Sequence, residues 1–286
     1  MDLTDSDFNN LREYIQGIIG LSISDDKRYL ITQRLEPIVQ ACKCKSYAEL
    51  YFKLKEKSDP ELNDRMIAAI TTNETSFFRD NHPFESFREK ILPIIFEKIR
   101  ERKKKLYARR GPKVNIWCAA ASTGQEPYSL SMIILDAVGN NRVPDIAPED
   151  FSIIASDISS QVLSKAISGR FEQMEITRGV PENYRERFFT RDGNNWIVSE
   201  EVQKLIEFRR VNLIESFLFL GSFDVIFCRN VLIYFDINTR ISILDQFHQL
   251  LNHDGFLFLG ASENIFGVSD KFESNHFGRT IIYKKK

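Results

Sequence analysis

The chain has 286 residues, of which 43% are hydrophobic and 28% charged, and its formal net charge is −1. These values are typical of a globular protein of about two domains, and the balanced charge argues against a polyanionic partner such as nucleic acid. No apolar run reaches the roughly 20 residues that cross a bilayer, and the acidic N-terminus does not resemble a signal peptide. Four scattered cysteines favour neither a disulfide framework nor a zinc site. We therefore expect a cytoplasmic protein with no membrane insertion and no metal.

Residues 1–80 show only helical patterns, and we interpret them as an all-α domain. Apolar residues recur at helical spacing from Phe8, and further helices are predicted after residue 26, from Ser46 and from Pro60. The helix predicted after residue 26 carries basic residues, namely Lys27, Arg28 and Arg34. They could guide an acidic partner, although a solvated charged face is the commoner explanation of such a pattern.

A polar stretch and a long helix follow. Residues 71–80 place hydroxyl, amide and guanidinium groups around two phenylalanines, which is more directed hydrogen bonding than a simple connection needs. The pattern then predicts a helix from 83 to about 105, bent at Pro93, in a linker of residues 81–112. The basic run 100–110 has Glu97 and Glu101 mixed in and no interleaving of aromatic residues, which favours a solvated surface over a phosphate-binding one.

Strands and helices alternate from residue 114 onwards, which predicts a mostly parallel sheet in a domain of residues 113–286. The predicted strands are 114–118, 151–156, 206–211, 223–228, 255–260 and 279–283, and the predicted helices are 126–138, 159–167 and 238–252. The last connection is too short for a crossover helix, so the final strand is predicted to be antiparallel. Residues from about 170 to 205 contain a hairpin signature at 191–195, which predicts a small antiparallel β-subdomain inserted into the sheet domain.

The turn after the first of these strands has the chemistry of a ligand-binding loop. Small residues fill positions 119–124 and Pro127 opens the next helix, so backbone N–H groups can approach a ligand closely. Only Gly124 of the dinucleotide fingerprint G-x-G-x-x-G is present, and there is no Walker motif. Asp157 ends the second strand, where a carboxylate accepts hydrogen bonds from ribose hydroxyls. A ligand that carries a ribose but no pyrophosphate points to S-adenosylmethionine. The carboxylate of Glu126 could bind the ammonium group of that molecule.

Two further strand ends carry residues suited to adenosine. Asn212 and Leu213 follow the third strand, and Arg229 and Asn230 follow the fourth. Ligands bind beyond the carboxyl ends of parallel strands, so we expect these residues to converge on the same site. The fold class is therefore predicted to be α/β, with the Rossmann-like doubly wound sheet of class I S-adenosylmethionine-dependent methyltransferases and not the sheet of dehydrogenases.

The chain resembles a known family in four motifs, which are Thr-Asn-Glu-Thr-Ser-Phe-Phe-Arg (72–79), Ala-Ala-Ala-Ser-Thr-Gly-Gln-Glu-Pro-Tyr-Ser (119–129), Ala-Ser-Asp-Ile (155–158) and Phe-Cys-Arg-Asn-Val-Leu-Ile-Tyr-Phe (227–235). They resemble the motifs of CheR-type chemotaxis receptor methyltransferases, and the resemblance covers essentially the whole chain. Such enzymes use S-adenosylmethionine to methylate glutamate side chains of bacterial chemoreceptors. The resemblance implies a protein-glutamate O-methyltransferase whose partner is the cytoplasmic domain of methyl-accepting chemoreceptors.

The resemblance also implies a cofactor site built from the loop before residue 80 and from the strand ends. Its members are Asn73, Thr75, Arg79, Glu126, Asp157, Asn212, Leu213, Arg229 and Asn230. Glu126 would lie near the methionine part of the cofactor, Asp157 on the ribose, and the last four residues around the adenosine.

Arg79 and Tyr234 are the catalytic residues that the resemblance implies. A glutamate carboxylate is ionised at pH 7 and needs no general base, so positioning is the main task that remains for the protein. The hairpin loop at 191–195 is shorter than in family members that dock a peptide from the receptor's C-terminus. We therefore expect no pentapeptide tether, and a monomer is the default expectation.

Three other functions remain open on the sequence. The first is a methyltransferase of another substrate class; the near-neutral charge and the lack of a base-stacking motif count against nucleic acid as its substrate. The second is a nicotinamide-dependent oxidoreductase, which the missing pyrophosphate loop disfavours. The third is a non-catalytic signalling module that binds the cofactor or a receptor, which the intact set of polar site residues disfavours.

Overall fold

The structure is a computed structural model that describes residues 2–56, 59–105, 113–139 and 143–286. Its first part contains the helices α1 (Asp5–Ile19), α2 (Arg28–Ala41), α3 (Tyr47–Glu56) and α4 (Pro60–Ile70). Thr4 caps α1 by accepting the N–H of Asp7, and Gly20 ends this helix in the left-handed region at φ 74°. The apolar faces of these four helices enclose a hydrophobic core whose buried members all come from this domain, which confirms the predicted all-α domain.

A long helical segment links this domain to the sheet. It consists of α5 (His82–Ser86), a π-helical turn (Phe87–Ile91) and α6 (Leu92–Lys104), so the predicted helix is present. The irregular turn lies directly before Pro93, whose missing N–H prevents regular α-helical bonding at that point.

In chain order the remaining elements are β1 (Val114–Ala119), α7 (Gln125–Val138), β2 (Phe151–Asp157), α8 (Ser160–Ser168), β3 (Arg170–Glu172), α9 (Gln173–Thr177), α10 (Glu182–Phe188), β4 (Phe189–Asp192), β5 (Asn195–Val198), α11 (Glu200–Gln203), β6 (Ile206–Arg210), β7 (Phe223–Cys228), α12 (Ile237–Leu250), β8 (Leu251–Leu259), β9 (Phe272–Phe277) and β10 (Thr280–Lys285). Among these described elements, no helix is long and apolar enough to cross a bilayer.

The large sheet has the strand order β6-β2-β1-β7-β8-β10-β9. Strands β6, β2, β1, β7 and β8 are parallel, whereas β10 is antiparallel to both of its neighbours. The predicted antiparallel final strand is thus confirmed. The chain order reverses between β1 and β7, and a crevice opens at such a switch point. Hydrophobic clusters cover both faces of the sheet, with Trp117 at the centre of one of them.

Strand β9 is absent from the sequence prediction, which also starts β8 too late. The sequence of β9, Phe-Glu-Ser-Asn-His-Phe, lacks an apolar alternation because this strand lies at the edge of the sheet and is largely exposed. Its pairing with β10 therefore comes from backbone hydrogen bonds that leave little trace in the sequence.

The small β-subdomain is present and has the strand order β3-β5-β4. Asp192 pairs with Asn195, so β4 and β5 are joined by a two-residue turn in which Gly193 has a φ of 61°. This geometry confirms the predicted hairpin. The helices α9, α10 and α11 of the same segment were not predicted.

The all-α domain contacts the sheet domain through a few side-chain and backbone groups. Arg210 at the end of β6 forms an ion pair with Asp64 of α4. The N–H of Ser22, in the loop after α1, donates to the carbonyl of Tyr234 at 3.0 Å. Ile158, just after β2, packs against the core of the all-α domain.

The basic run at the end of α6 holds this helix on the sheet, so the expectation of a purely solvated surface is wrong for its described part. Arg102 donates from Nη1 to Asp224 at 3.0 Å, and Asp224 is only 1% exposed at the start of β7. Asp224 also accepts the N–H of Asn115 and the amide of Asn252. Arg100 forms a more exposed pair with an aspartate. Residues 106–110 of the run lie outside the described residues.

We predict that Arg102→Ala destabilises the fold by about 3 kcal/mol, because it leaves the buried carboxylate of Asp224 without its cation. Arg100→Ala is the matched control, since the Arg100–Asp145 pair is partly exposed on both sides and such pairs contribute about 0–1 kcal/mol. Urea unfolding of both variants measures the difference. Equal losses would show that the neutral donors satisfy Asp224 without Arg102.

Candidate functional site

A cleft of about 1030 Å³, counted with its open mouth, lies at the carboxyl ends of the parallel strands and under the all-α domain. All of the sequence-predicted site residues line it, namely Asn73, Thr75, Arg79, Glu126, Asp157, Asn212, Leu213, Arg229, Asn230 and Tyr234. The convergence of the strand ends is therefore observed, while the contact of each residue with a ligand stays a prediction.

The loop between β1 and α7 shapes the floor of the cleft. Ala120, Ser122 and Gly124 all have positive φ, at 60°, 51° and 93°. A Cβ on Gly124 would come within 3.0 Å of the Cβ of Ala166, so glycine is needed both for the backbone and for the close packing of α8. The sharp turn directs successive backbone groups toward the end of β2.

Asp157 is fixed by this loop and by its own strand end. Its two carboxylate oxygens accept the N–H of Ser122 at 2.9 Å and the N–H of Ser159 at 3.0 Å. Burial raises the pKa of Asp157, and these backbone N–H groups oppose the rise. Each oxygen keeps a lone pair for a further donor, which suits the two hydroxyl groups of a ribose.

Arg229 is buried at the opposite wall and joins three segments of the chain. It donates from Nη1 to Glu126 at 3.1 Å, and from Nη2 to Asp80 at 2.7 Å and to the carbonyl of Arg79 at 3.0 Å. Burial is the largest cause that raises the pKa of Glu126, and Arg229 opposes it. The structure therefore groups Arg229 with Glu126 and Arg79, whereas the resemblance implied a place around the adenosine. Among the described residues, the buried Nε of Arg229 has no hydrogen-bond partner.

The 71–80 loop owes its position to its two phenylalanines. The ring of Phe77 is buried against Phe171 and Phe189 of the β-subdomain, with centroids 4.8 and 5.5 Å away. The N–H of Phe78 donates to Ser129 of α7 at 3.0 Å. With its apolar residues held in the core, the loop turns its polar side chains toward the cleft.

The start of the same loop is held by Arg34, which donates to the carbonyls of Ile70 at 2.9 Å and of Thr71 at 2.8 Å at the end of α4. Arg28 forms an ion pair with Asp5. Two of the three basic residues proposed to guide a partner thus have partners inside their own domain. Their role in the fold could not be seen in the sequence, because it depends on which helix end lies opposite α2.

Asn212 is also engaged more fully than predicted. Its amide nitrogen donates to the carbonyl of Ile18 at 2.8 Å and to Glu215 at 3.1 Å, and its amide oxygen accepts the N–H of Ile214 at 3.3 Å. The side chain thereby ties the end of α1 to the cleft. The apolar wall beside it is formed by Leu213, which is 7% exposed.

The loop after β7, residues 229–235, completes the site and depends on a residue that sequence reasoning missed. Asn230 has a φ of 59°, and the N–H groups that follow it bond to the carboxylate of Glu263. Glu263 follows Gly260 in the turn after β8 and does not line the cleft itself. Its position beyond the carboxyl end of a parallel strand was the feature of the sequence that could have indicated a role at the site.

Two family models together match most of the chain. Residues 6–71 match "CheR methyltransferase, all-alpha domain", and residues 73–281 match "CheR methyltransferase, SAM binding domain". The chain belongs to the CheR methyltransferase family. As a CheR protein it has S-adenosylmethionine as its cofactor, and the groups around the cleft fit that molecule: carboxylates to accept hydrogen bonds from a ribose and an ammonium group, and an apolar wall for a base. Within the described residues, no cluster of three or more potential ligands could hold a metal ion.

Full-length relatives agree with this assignment. The chemotaxis protein methyltransferase of Vibrio parahaemolyticus serotype O3:K6 is 36% identical over 99% of this chain and 98% of its own. Chemotaxis protein methyltransferase 1 of Pseudomonas aeruginosa is 34% identical over the whole of both chains. Among solved structures, TrmN from Thermus thermophilus matches 60% of this CheR chain and 44% of its own, at 12% identity and a TM-score of 0.37, a likeness too weak to carry an argument.

We predict that Gly179→Ala disturbs both stability and cofactor binding, because a Cβ there would overlap the carbonyl oxygen of Phe77. Overpacking of this kind costs about 1–3 kcal/mol, and relief of the overlap would shift the 71–80 loop. Gly17→Ala in α1 is the control, since nothing lies within 4 Å of its Cβ and alanine favours a helix.

The measurements are thermal unfolding and calorimetric titration with S-adenosylhomocysteine. We expect Gly179→Ala to bind several-fold more weakly and Gly17→Ala to bind as the native protein does. Unchanged affinity in Gly179→Ala would show that the loop position is not set by its contact with the β-subdomain.

Proposed function

We propose that this protein transfers a methyl group from S-adenosylmethionine to glutamate side-chain carboxylates on the cytoplasmic domain of bacterial chemoreceptors. The product is a glutamate methyl ester. Membership of the CheR family over the full chain supports the reaction, and the composition of the cleft wall supports the choice of acceptor.

The observation that carries this choice is the lack of a free base. No histidine, lysine or cysteine is among the described residues that line the cleft. The three carboxylates of the wall are already bonded: Glu126 to Arg229, Asp157 to backbone N–H groups, and the exposed Glu74 to Arg178. An amine acceptor would have to lose a proton before it attacks, whereas a carboxylate is ionised at pH 7. The site therefore suits an acceptor that needs orientation and no deprotonation.

Bound S-adenosylmethionine would supply an activated methyl group. The bond between this methyl group and the cofactor's sulfur breaks as its bond to the carboxylate oxygen forms, and the sulfur leaves as part of a neutral thioether. Asp157 would accept hydrogen bonds from the ribose, Glu126 would balance the ammonium group, and Leu213 would contact the adenine. The chain's own contribution is to hold the two reactants in line and to exclude water.

Arg79 and Tyr234 would orient the acceptor carboxylate. Arg79 is held at Nη1 by the carbonyl of Glu74, at 2.6 Å, and keeps its other N–H groups for an incoming ligand. The backbone carbonyl of Tyr234 accepts a hydrogen bond from the N–H of Ser22 in the all-α domain. A guanidinium that bound the carboxylate too tightly would lower its nucleophilicity, so the role proposed for Arg79 is positioning of the acceptor.

We further propose that the protein acts as a cytoplasmic monomer without a pentapeptide tether. The two-residue turn between β4 and β5 supports the absence of a tether, because the short hairpin leaves little strand edge with which an extended peptide could pair. Docking would then rest on direct contact between the receptor and the surface around the cleft.

The reaction is tested with methyl-labelled S-adenosylmethionine and membranes that carry the chemoreceptors of the same organism. We expect label in the receptor that alkali releases as methanol, because carboxyl esters hydrolyse in alkali and N-methyl products do not. Arg79→Ala should lower kcat at saturating cofactor by roughly 100-fold, which is the size of an orientation effect. Arg209→Ala, which removes an exposed cation on β6, is the control and should keep full turnover. Alkali-stable label would refute the carboxylate acceptor, and full turnover by Arg79→Ala would refute its role.

Cofactor binding should also depend on pH. Burial raises the pKa of Glu126 and of Asp157 in the free protein, and a cationic ligand favours their ionised forms. Binding therefore lowers both pKa values and releases protons, so affinity is full above the raised values and falls as the pH decreases through them. Titration with S-adenosylmethionine at pH about 5 and about 7.5, in buffers of different ionisation enthalpy, counts the protons.

We expect more protons to be released at the lower pH, and fewer by Glu126→Gln than by the native protein. If both proteins released the same number, Glu126 would not be the group that responds to the charge of the ligand.

A further inference from the structure

Glu263 makes an unusual set of contacts for a residue outside the cleft. Its Oε2 accepts the N–H of Gly260 at 2.6 Å and of Asn230 at 2.7 Å. Its Oε1 accepts the N–H of Val231 at 2.8 Å and of Leu232 at 2.7 Å. One carboxylate thus receives consecutive backbone donors of the loop after β7 and one donor from the turn after β8.

The carboxylate is 8% exposed, and among the described residues no lysine or arginine forms an ion pair with it. Its charge is held by backbone dipoles at the start of the short helical turn Leu232–Tyr234, as an anion is held at a helix N-terminus. A buried carboxylate is costly unless its oxygens are bonded, so this set of contacts also fixes the side chain itself.

Glycine at position 260 makes room for this arrangement. A Cβ there would lie 2.7 Å from Oε2 of Glu263 and 2.8 Å from the nitrogen of Asn230. Any larger residue would separate the carboxylate from the N–H of Asn230. Asn230 itself has a φ of 59°, a backbone conformation that a non-glycine residue keeps only when its surroundings impose it.

We propose that Glu263 is a positioning residue for the active site, which acts through the backbone of residues 230–232. This loop brings Asn230 and Tyr234 to the cleft, and the bonds to Glu263 set the direction of both side chains before a ligand arrives. Preorganisation of this kind saves the ordering cost when the ligand binds. The part of this inference that concerns turnover rests on the proposed methyl transfer, whereas the part that concerns the loop does not.

The test uses Glu263→Gln, which keeps the shape of the side chain and replaces one acceptor oxygen by a donor that faces N–H groups. Amide hydrogen exchange over residues 229–235 reports on the loop, and needs neither cofactor nor receptor. Titration with S-adenosylhomocysteine reports on the site. We expect the loop to lose its protection, and the affinity to fall by roughly ten-fold or more.

Asp224→Asn is the matched control, because Asp224 is a buried carboxylate at the other end of β7 that also accepts a backbone N–H. It should lower the melting temperature at least as much as Glu263→Gln, without loss of affinity or of protection in the loop. Gly260→Ala is the second variant. Its Cβ would displace the carboxylate of Glu263 and press on the nitrogen of Asn230 without removing the charge, so it should also cost the loop its protection.

Three results would overturn the proposal. The first is protection of the 229–235 amides that is unchanged in Glu263→Gln. The second is lost protection with native affinity. The third is an affinity that falls with melting temperature alike in Asp224→Asn and Glu263→Gln, which would make the role of Glu263 merely structural. A native protein that fails to bind S-adenosylhomocysteine would count against the cofactor assignment, while the exchange measurement would still decide the role of Glu263 in the loop.

Discussion

A buried guanidinium holds the cleft together. Arg229 is 7% exposed, and its partners come from the first turn of α7 and from the 71–80 loop. Two anions and a carbonyl oxygen replace the water that this cation has lost, and the loss of any one of them would take a hydrogen-bond partner from a buried N–H group. Because these partners lie on separate segments, the same interaction that satisfies Arg229 also sets the distance between the sheet and the 71–80 loop.

Backbone strain is concentrated around the same cleft. Among the described residues, five of the seven non-glycine positions with positive φ lie in the segments that form its wall, at Phe78, Asp80, Ala120, Ser122 and Asn230. Such conformations cost about 1–3 kcal/mol each and persist only where neighbouring contacts impose them. The buried parallel strands provide that support, since β1, β2 and β7 each end in a loop that is bonded to another strand end. The sheet thus supports geometry that the loops could not keep alone.

The sequence predicted the parts of this arrangement that follow from local pattern. Alternating strands and helices place the carboxyl ends of parallel strands at one edge, so Asp157 and Arg229 had to lie near each other once the fold class was correct. Other features depend on contacts between distant segments and could not be read in this way. Glu263 bonds to a loop about 30 residues earlier, as its separation from Leu232 shows. Arg34 caps a helix other than its own, and β9 exists because β10 offers it a partner.

The helical domain and the sheet domain have separate cores, and that separation bears on how the cleft between them is held together. The all-α domain buries its own apolar residues and meets the sheet domain through groups such as Ser22 and Arg210. The described contacts between the domains are hydrogen bonds, the ion pair of Arg210 with Asp64, and the packing of Ile158 against the helical core. Water can replace the polar contacts at little cost, whereas separation of the domains would expose the side chain of Ile158. Each domain keeps its own buried residues, so a change in their relative position requires neither of them to unfold.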